Sequence, residues 1–208
     1  MRYLDIETWN RKQHFDHFRK LSDPYFAVVV EVDVTEAYGY AKKTDIPFFA
    51  LYLHACMKAI NSVENLRYRI REDKVVIHDA IHASATISRA DNTFGCTFIY
   101  FDKNFDVFLA NFKKEKQRVL TTTDLFPADD TDDCIHCSAL PWLNFSSHKE
   151  PFSGIKDDSV PKVAFGKFSK KENGLMMPVS IAVNHSLVDG YHLGQFFKQY
   201  QIELNKIN

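Results

Sequence analysis

A mixed α/β fold is predicted by three features of this 208-residue sequence. The run from Leu175 to Asn184 is almost continuously apolar and rich in β-branched residues, the pattern of a buried strand. Directly after it, Leu193, Phe196, Phe197, Tyr200 and Leu204 recur at helical spacing. Hydrophobic residues make up 45% and charged residues 25%, and the length suits one sizeable core better than two, so residues 1–208 are expected to form one domain.

In chain order, Asp5, Glu7 and Thr8 offer helix-start chemistry, and the segment after Trp9 reads as an amphipathic helix with Phe15 and Phe18 inward. Residues 25–34 read as a strand, with three successive valines. Thr35 is expected to cap a short helix through Lys43. Pro47 opens a longer helix over about 48–60, apolar on most sides and so buried. Residues 66–70 and 74–77 read as strands of a hairpin turning at Glu72-Asp73. Residues 83–87 and 94–101 read as further strands. Phe105, Phe108, Leu109 and Phe112 mark an amphipathic helix to about residue 120. Strands over 134–140, 160–168 and 175–184 complete the sheet.

The balance of charge excludes some functions. A net charge of −1 provides no basic field for nucleic acid or an anionic membrane. No apolar run approaches the length of a membrane span, and the N-terminus lacks a signal peptide's apolar core, so a cytoplasmic protein is expected. The 18 phenylalanines point to aromatic packing and an apolar pocket. Cys134 and Cys137 are spaced like a metal or redox pair, but residues three apart on a strand face opposite ways, and no second ligand pair exists. Cys56, Cys96, Cys134 and Cys137 are therefore read as small apolar residues, with no metal site. The acidic run 129–133 is read as a solvated loop.

The chemistry concentrates where the last strand meets the last helix. His185 stands at that corner, followed by Asp189 and Gly190. A neutral imidazole can take a proton from a hydroxyl or thiol near pH 7 if one ring nitrogen is free and the other is held. Asp189 is too close in sequence to be assumed that holder. It more naturally caps the helix or pairs with an arginine. On these residues alone, a strand end followed by an Asp-capped helix is the plainer reading.

Three segments together resemble the chloramphenicol acetyltransferases. Val183-Asn184-His185-Ser186-Leu187-Val188-Asp189-Gly190-Tyr191-His192 resembles their His-x-x-x-Asp-Gly followed by an aromatic and a histidine. Trp9-Asn10-Arg11-Lys12-Gln13-His14-Phe15 resembles their Trp-His-Arg-Lys-x-His-Phe. Cys137-Ser138-Ala139-Leu140-Pro141-Trp142 resembles their Ser-x-x-Pro-Trp. The order and spacing match over nearly the whole chain, and dihydrolipoamide acyltransferases share the His-x-x-x-Asp-Gly core.

The resemblance implies a two-layer α+β sandwich, its mixed sheet covered by helices on one side as in the coenzyme-A-dependent acyltransferases. It also implies a homotrimer with active sites between subunits, acting in antibiotic resistance. His185 would be the general base that activates a hydroxyl of chloramphenicol. Ser138 would donate to the oxyanion, and Arg11 and Asp189 would form a structural ion pair that fixes the corner. Tyr25 and Phe26 would line the acceptor pocket, and Trp142 would help hold coenzyme A. Acetyl-CoA would be a co-substrate, with no tightly bound cofactor.

The chain also departs from the family pattern. Asn184 replaces a frequent second histidine, Ala182 a frequent glutamine, and Ala164 a threonine that positions a water. These departures bear on the acceptor, so another small alcohol or amine stays open. A dihydrolipoamide acyltransferase core would be expected to carry a lipoyl domain and an Ala/Pro-rich linker, which the sequence lacks. A non-catalytic homologue that only binds ligand is opposed by the joint presence of His185, Asp189, Arg11 and Ser138.

Overall fold

The computed structural model of the protein describes residues 1–128, 131–151, 153–155 and 157–207. The main sheet starts with β2 (Tyr25–Asp33) at one edge, where consecutive β-branched residues favour an extended, half-buried strand. Next to it lies β10 (Gly174–Asn184), the longest strand, followed by β8 (Lys162–Gly166), β7 (Cys134–Leu140), β5 (His82–Ser88) and β6 (Phe94–Cys96). A short strand, β9 (Ser169–Lys171), also pairs with β10, making seven strands. β7 runs parallel to both β5 and β8, and the other pairings are antiparallel. The sheet is therefore mixed. A separate sheet of β1 (Arg2–Tyr3), β4 (Lys74–Ile77) and β3 (Tyr68–Arg71) carries the hairpin, whose turn places Glu72 in the left-handed region at φ 54°.

Helices α2 (Thr35–Lys43), α3 (Phe48–Ser62), α4 (Phe105–Thr121) and α5 (Gly190–Leu204) follow the predicted periods. α3 is buried without interruption from Ala50 to Met57, as its apolar circumference requires. Val32, Val163, Phe165, Ile181 and Val183 on one sheet face share a core with Leu53 and Met57 of α3 and Phe196 and Tyr200 of α5. Alternation along the strands turns Ser138, Ala164 and Ser180 to the opposite face.

Several elements differ from expectation. α1 (Lys12–Phe18) begins later than the acidic start at residues 5–8, because Asp5 closes its own turn by accepting from the Glu7 N–H and the Thr8 hydroxyl. Thr35 does not cap α2. It is the first helical residue, donating through its N–H and hydroxyl to Asp33, while its hydroxyl accepts from the Leu175 N–H. The predicted strand over 94–101 pairs regularly only to Cys96 and then touches β5 through a single bridge, Ala83 to Ile99. Asp129 and Asp130 lie outside the described residues. In the same run Asp132 is not a merely solvated residue: Arg71 donates to it at 2.9 and 2.5 Å, and His78 lies 3.3 Å away. Cys56, Cys134 and Cys137 are buried and Cys96 half-buried.

Candidate active site

β10 ends at Asn184 and α5 starts at Gly190, so residues 185–189 form a tight corner between two rigid elements. The corner is tied at both ends. The His185 N–H donates to the Pro24 carbonyl at 2.9 Å, just before β2. Asp189 caps α5, its carboxylate accepting from the Tyr191 N–H at 3.0 Å. His192 completes a capping box, its Nδ1 accepting from the Asp189 N–H at 3.1 Å.

The His185 ring is held by three contacts. Its Nδ1 lies 3.0 Å from the Val188 carbonyl. A carbonyl only accepts, so Nδ1 carries the proton and Nε2 keeps its lone pair. Phe18, at the end of α1, stacks on the ring with centroids 3.9 Å apart and planes at 11°. Phe26 of β2 closes the other flank at 4.4 Å. Half-buried between two apolar rings, the imidazole keeps one basic nitrogen in a fixed direction.

Arg11 sits immediately before α1 and ion-pairs with Asp189 across the corner. It also donates to the His185 carbonyl at 3.3 Å, so the guanidinium grips both ends of the motif. Its side chain is 11% exposed and that of Asp189 31%. Burial pushes the Asp189 carboxyl up, but His192 and Arg11 outweigh it and hold it below the ordinary value of 3.8. Burial also lowers the pKa of His192 from 6.5, against the pull of Asp189, so its ring is neutral near pH 7.

Tyr25 and Phe26, adjacent on β2, play separate parts because successive side chains face opposite ways. Phe26 meets His185. Tyr25 is clamped beneath the sheet: its hydroxyl reaches Asp158 Oδ1 at 2.9 Å and the Val160 carbonyl at 3.0 Å, and Lys162 Nζ lies 4.0 Å from its ring centre. Both border a cavity of about 270 Å³ that also touches Ala27, His148, Lys162 and Ala182.

Ser138 is elsewhere. On β7 it pairs with Ala164, which pairs with Ser180 of β10. Two strand spacings and a five-residue offset from His185 correspond to a separation of roughly 19 Å. Trp142, just past β7 and 70% exposed, belongs to that remote half. The structure thus brings His185, Arg11, Asp189 and Phe26 together and leaves Ser138 and Trp142 apart from them. Among the described residues no cluster of three or more acidic, histidine or cysteine side chains could hold a metal.

Two supporting residues were not singled out from the sequence. Phe18 reads as an ordinary inward helix residue, and nothing in its spacing marks it as a platform for a distant histidine. Arg69 is fully buried and donates to the backbone carbonyls of Asp132, Leu66, Tyr68 and Cys134 at 2.5–3.1 Å. It staples β3 to the start of β7, a link between sheets that no local pattern announces.

The mixed sheet flanked by helices is the fold shared by chloramphenicol acetyltransferase and other coenzyme-A-dependent acyltransferases of known structure. A dihydrolipoamide acetyltransferase from Azotobacter vinelandii shares the fold, with a TM-score of 0.66 at 17% identity, over 94% of this chain and 87% of that one. The family model for chloramphenicol acetyltransferase matches residues 1–201, and the chain belongs to that family. It is 25% identical to chloramphenicol acetyltransferase 3 from Escherichia coli, across 95% of this chain and 94% of that protein. A solved chloramphenicol acetyltransferase superposes with a TM-score of 0.87 at 28% identity, over 98% of this chain and 99% of that one.

Proposed function

We propose that this protein transfers the acetyl group of acetyl-CoA to a hydroxyl of chloramphenicol, in a homotrimer whose active sites lie between subunits. His185 Nε2 removes the proton from the acceptor hydroxyl as that oxygen attacks the thioester carbonyl. Ser138 of a second copy donates its hydroxyl to the oxyanion of the tetrahedral intermediate. The C–S bond then breaks, and the imidazolium returns its proton to the departing thiolate, leaving coenzyme A and the acetylated product. Base work of this kind contributes roughly 10²–10⁴-fold, and one preorganised oxyanion donor roughly 10²–10³-fold.

The observation that carries the reading is the His185 Nδ1–H bond to Val188, which fixes the tautomer a general base needs. The second copy is required because His185 and Ser138 are too far apart in one chain to touch the same carbonyl. Phe18 and Phe26 are the aromatic wall of the acceptor pocket, with Tyr25 behind it, and exposed Trp142 offers a stacking surface for coenzyme A. Arg11 and Asp189 act through the corner they hold. No helix among the described residues is long and apolar enough to cross a membrane, and the use of acetyl-CoA fits a cytoplasmic enzyme.

The test is thiol release from acetyl-CoA with chloramphenicol and a panel of small alcohols and amines, for wild type and His185→Ala. Release with chloramphenicol that is lost in the variant is the expected result. Release only with other acceptors would reassign the acceptor. Undiminished release by His185→Ala would remove the histidine from its role.

A further inference from the structure

We infer that Asn184 is a positioning residue that sets the direction of the His185 ring, and that it relays to that ring the loop carrying Asp157 and Asp158. The inference rests on the acetyl-transfer reading for its kinetic consequence, but not for its structural one.

Asn184 is the last residue of β10 and is 3% exposed. Its side chain bonds in two directions. Oδ1 accepts from the Ser186 N–H at 2.9 Å, reaching past His185 to the far side of the turn. Nδ2 donates to the Asp158 carbonyl at 2.9 Å. Its own backbone carbonyl accepts from the N–H groups of Leu187 and Val188, both at 3.1 Å. One residue therefore satisfies three successive amide donors of the turn, 186 to 188. The carbonyl of Val188 is in turn the group that anchors His185 Nδ1. The three amides 186 to 188 thus all donate to Asn184, and the Val188 carbonyl that follows them aims the ring.

The other side of Asn184 is equally fixed. The Asp158 carboxylate accepts from Tyr25 and from Lys162 Nζ at 3.0 Å. Asp157 takes two bonds from Arg19, each 2.7 Å, and Arg19 reaches Asp73 at 3.0 Å. Asp157 itself is held in the left-handed region at φ 69°. The Asn184 amide thereby links the corner to this loop and, through Arg19, to the β3–β4 hairpin. Serine keeps an oxygen that can accept from the 186 N–H but cannot reach Asp158. Alanine keeps neither bond and leaves a fully buried amide without a partner.

The experiment compares wild type, Asn184→Ser and Asn184→Ala by steady-state kinetics and by ¹⁵N NMR of the His185 ring, assigned by loss of its signals in His185→Ala. A ring displaced by about 1 Å costs up to roughly 100-fold in rate. Asn184→Ala is expected to lower kcat about 10- to 100-fold with KM changed less than about twofold, and to lose the single Nδ1–H tautomer. Asn184→Ser is expected to recover most of kcat and a predominantly Nδ1–H ring. An alanine variant with wild-type kcat and an unchanged tautomer would overturn the inference; should alanine not fold, a serine variant that keeps neither most of kcat nor the Nδ1–H ring would overturn it. If wild type releases no thiol, the acetyl-transfer reading fails, while the tautomer comparison still decides the role of Asn184.

Discussion

Phe18 and Phe26 leave the His185 ring little freedom, and the Val188 carbonyl decides which of its nitrogens is basic. At this scale the proposed chemistry divides into a base held in one place and an oxyanion donor held in another. Ser138→Ala should therefore lower kcat roughly 10²–10³-fold. Since its half-buried side chain is absent from the core, the melting temperature should stay within about 2 °C, read by steady-state kinetics beside a thermal melt. His185 and Asp189 were legible at the strand–helix corner, whereas the pairing of Arg11 with Asp189 came only from the resemblance, since Arg11 lies 178 residues from its partner. Arg69 and Asp132 were not legible, since the bonds that tie one sheet to the other join residues about 60 apart in sequence.

The corner element joins β10 to α5, and Asp189 serves it twice, as N-cap and as partner of Arg11. Asp189→Ala removes both and should cost about 2–4 kcal/mol, less than a fully buried pair because the carboxylate keeps some contact with water. Asp189→Asn can still cap the helix but leaves Arg11 without its counter-charge, and should cost about half as much. The ordering of the two melting temperatures checks this assignment. The long elements were readable from their patterns: β10 is almost continuously apolar, and α3 is buried without interruption from Ala50 to Met57. β1 and β9 were not, because strands of two or three residues carry no period and form only where a neighbouring strand offers its edge. Thr35 was misread for a related reason, as Asp33 and Leu175 supply partners that compete with a capping bond.

Across the whole molecule, folding sets a characteristic response to acid. Burial lowers the pKa of His54, His82 and His192 from 6.5. The unfolded chain then binds protons first, so their contribution to stability is complete above pH 6.5 and is lost as the pH falls below it. Asp132, Asp158 and Asp189 experience burial that raises their pKa values, but cationic or hydrogen-bonding partners hold all three below 3.8. Their contribution is present above that value and is lost only as the pH falls further. Melting temperature should be flat near pH 7–8, fall in a first stage below about 6.5, and fall again below about 4. A single fall confined to the carboxylate range would show that the three imidazoles are not held neutral.

The proposed assembly also belongs to the whole molecule, and no local pattern reveals it. Strand register supports it, setting Ser138 roughly 19 Å from His185 in the same chain. The most direct measurement mixes two inactive proteins, His185→Ala and Ser138→Ala, unfolds them together and refolds them in equal amounts. If each site takes its histidine from one subunit and its serine from the next, roughly a quarter of the sites in randomly formed trimers are intact. Thiol release should then return to about that fraction of wild type. A mixture as inactive as its two components would contradict the shared site and the mechanism built on it.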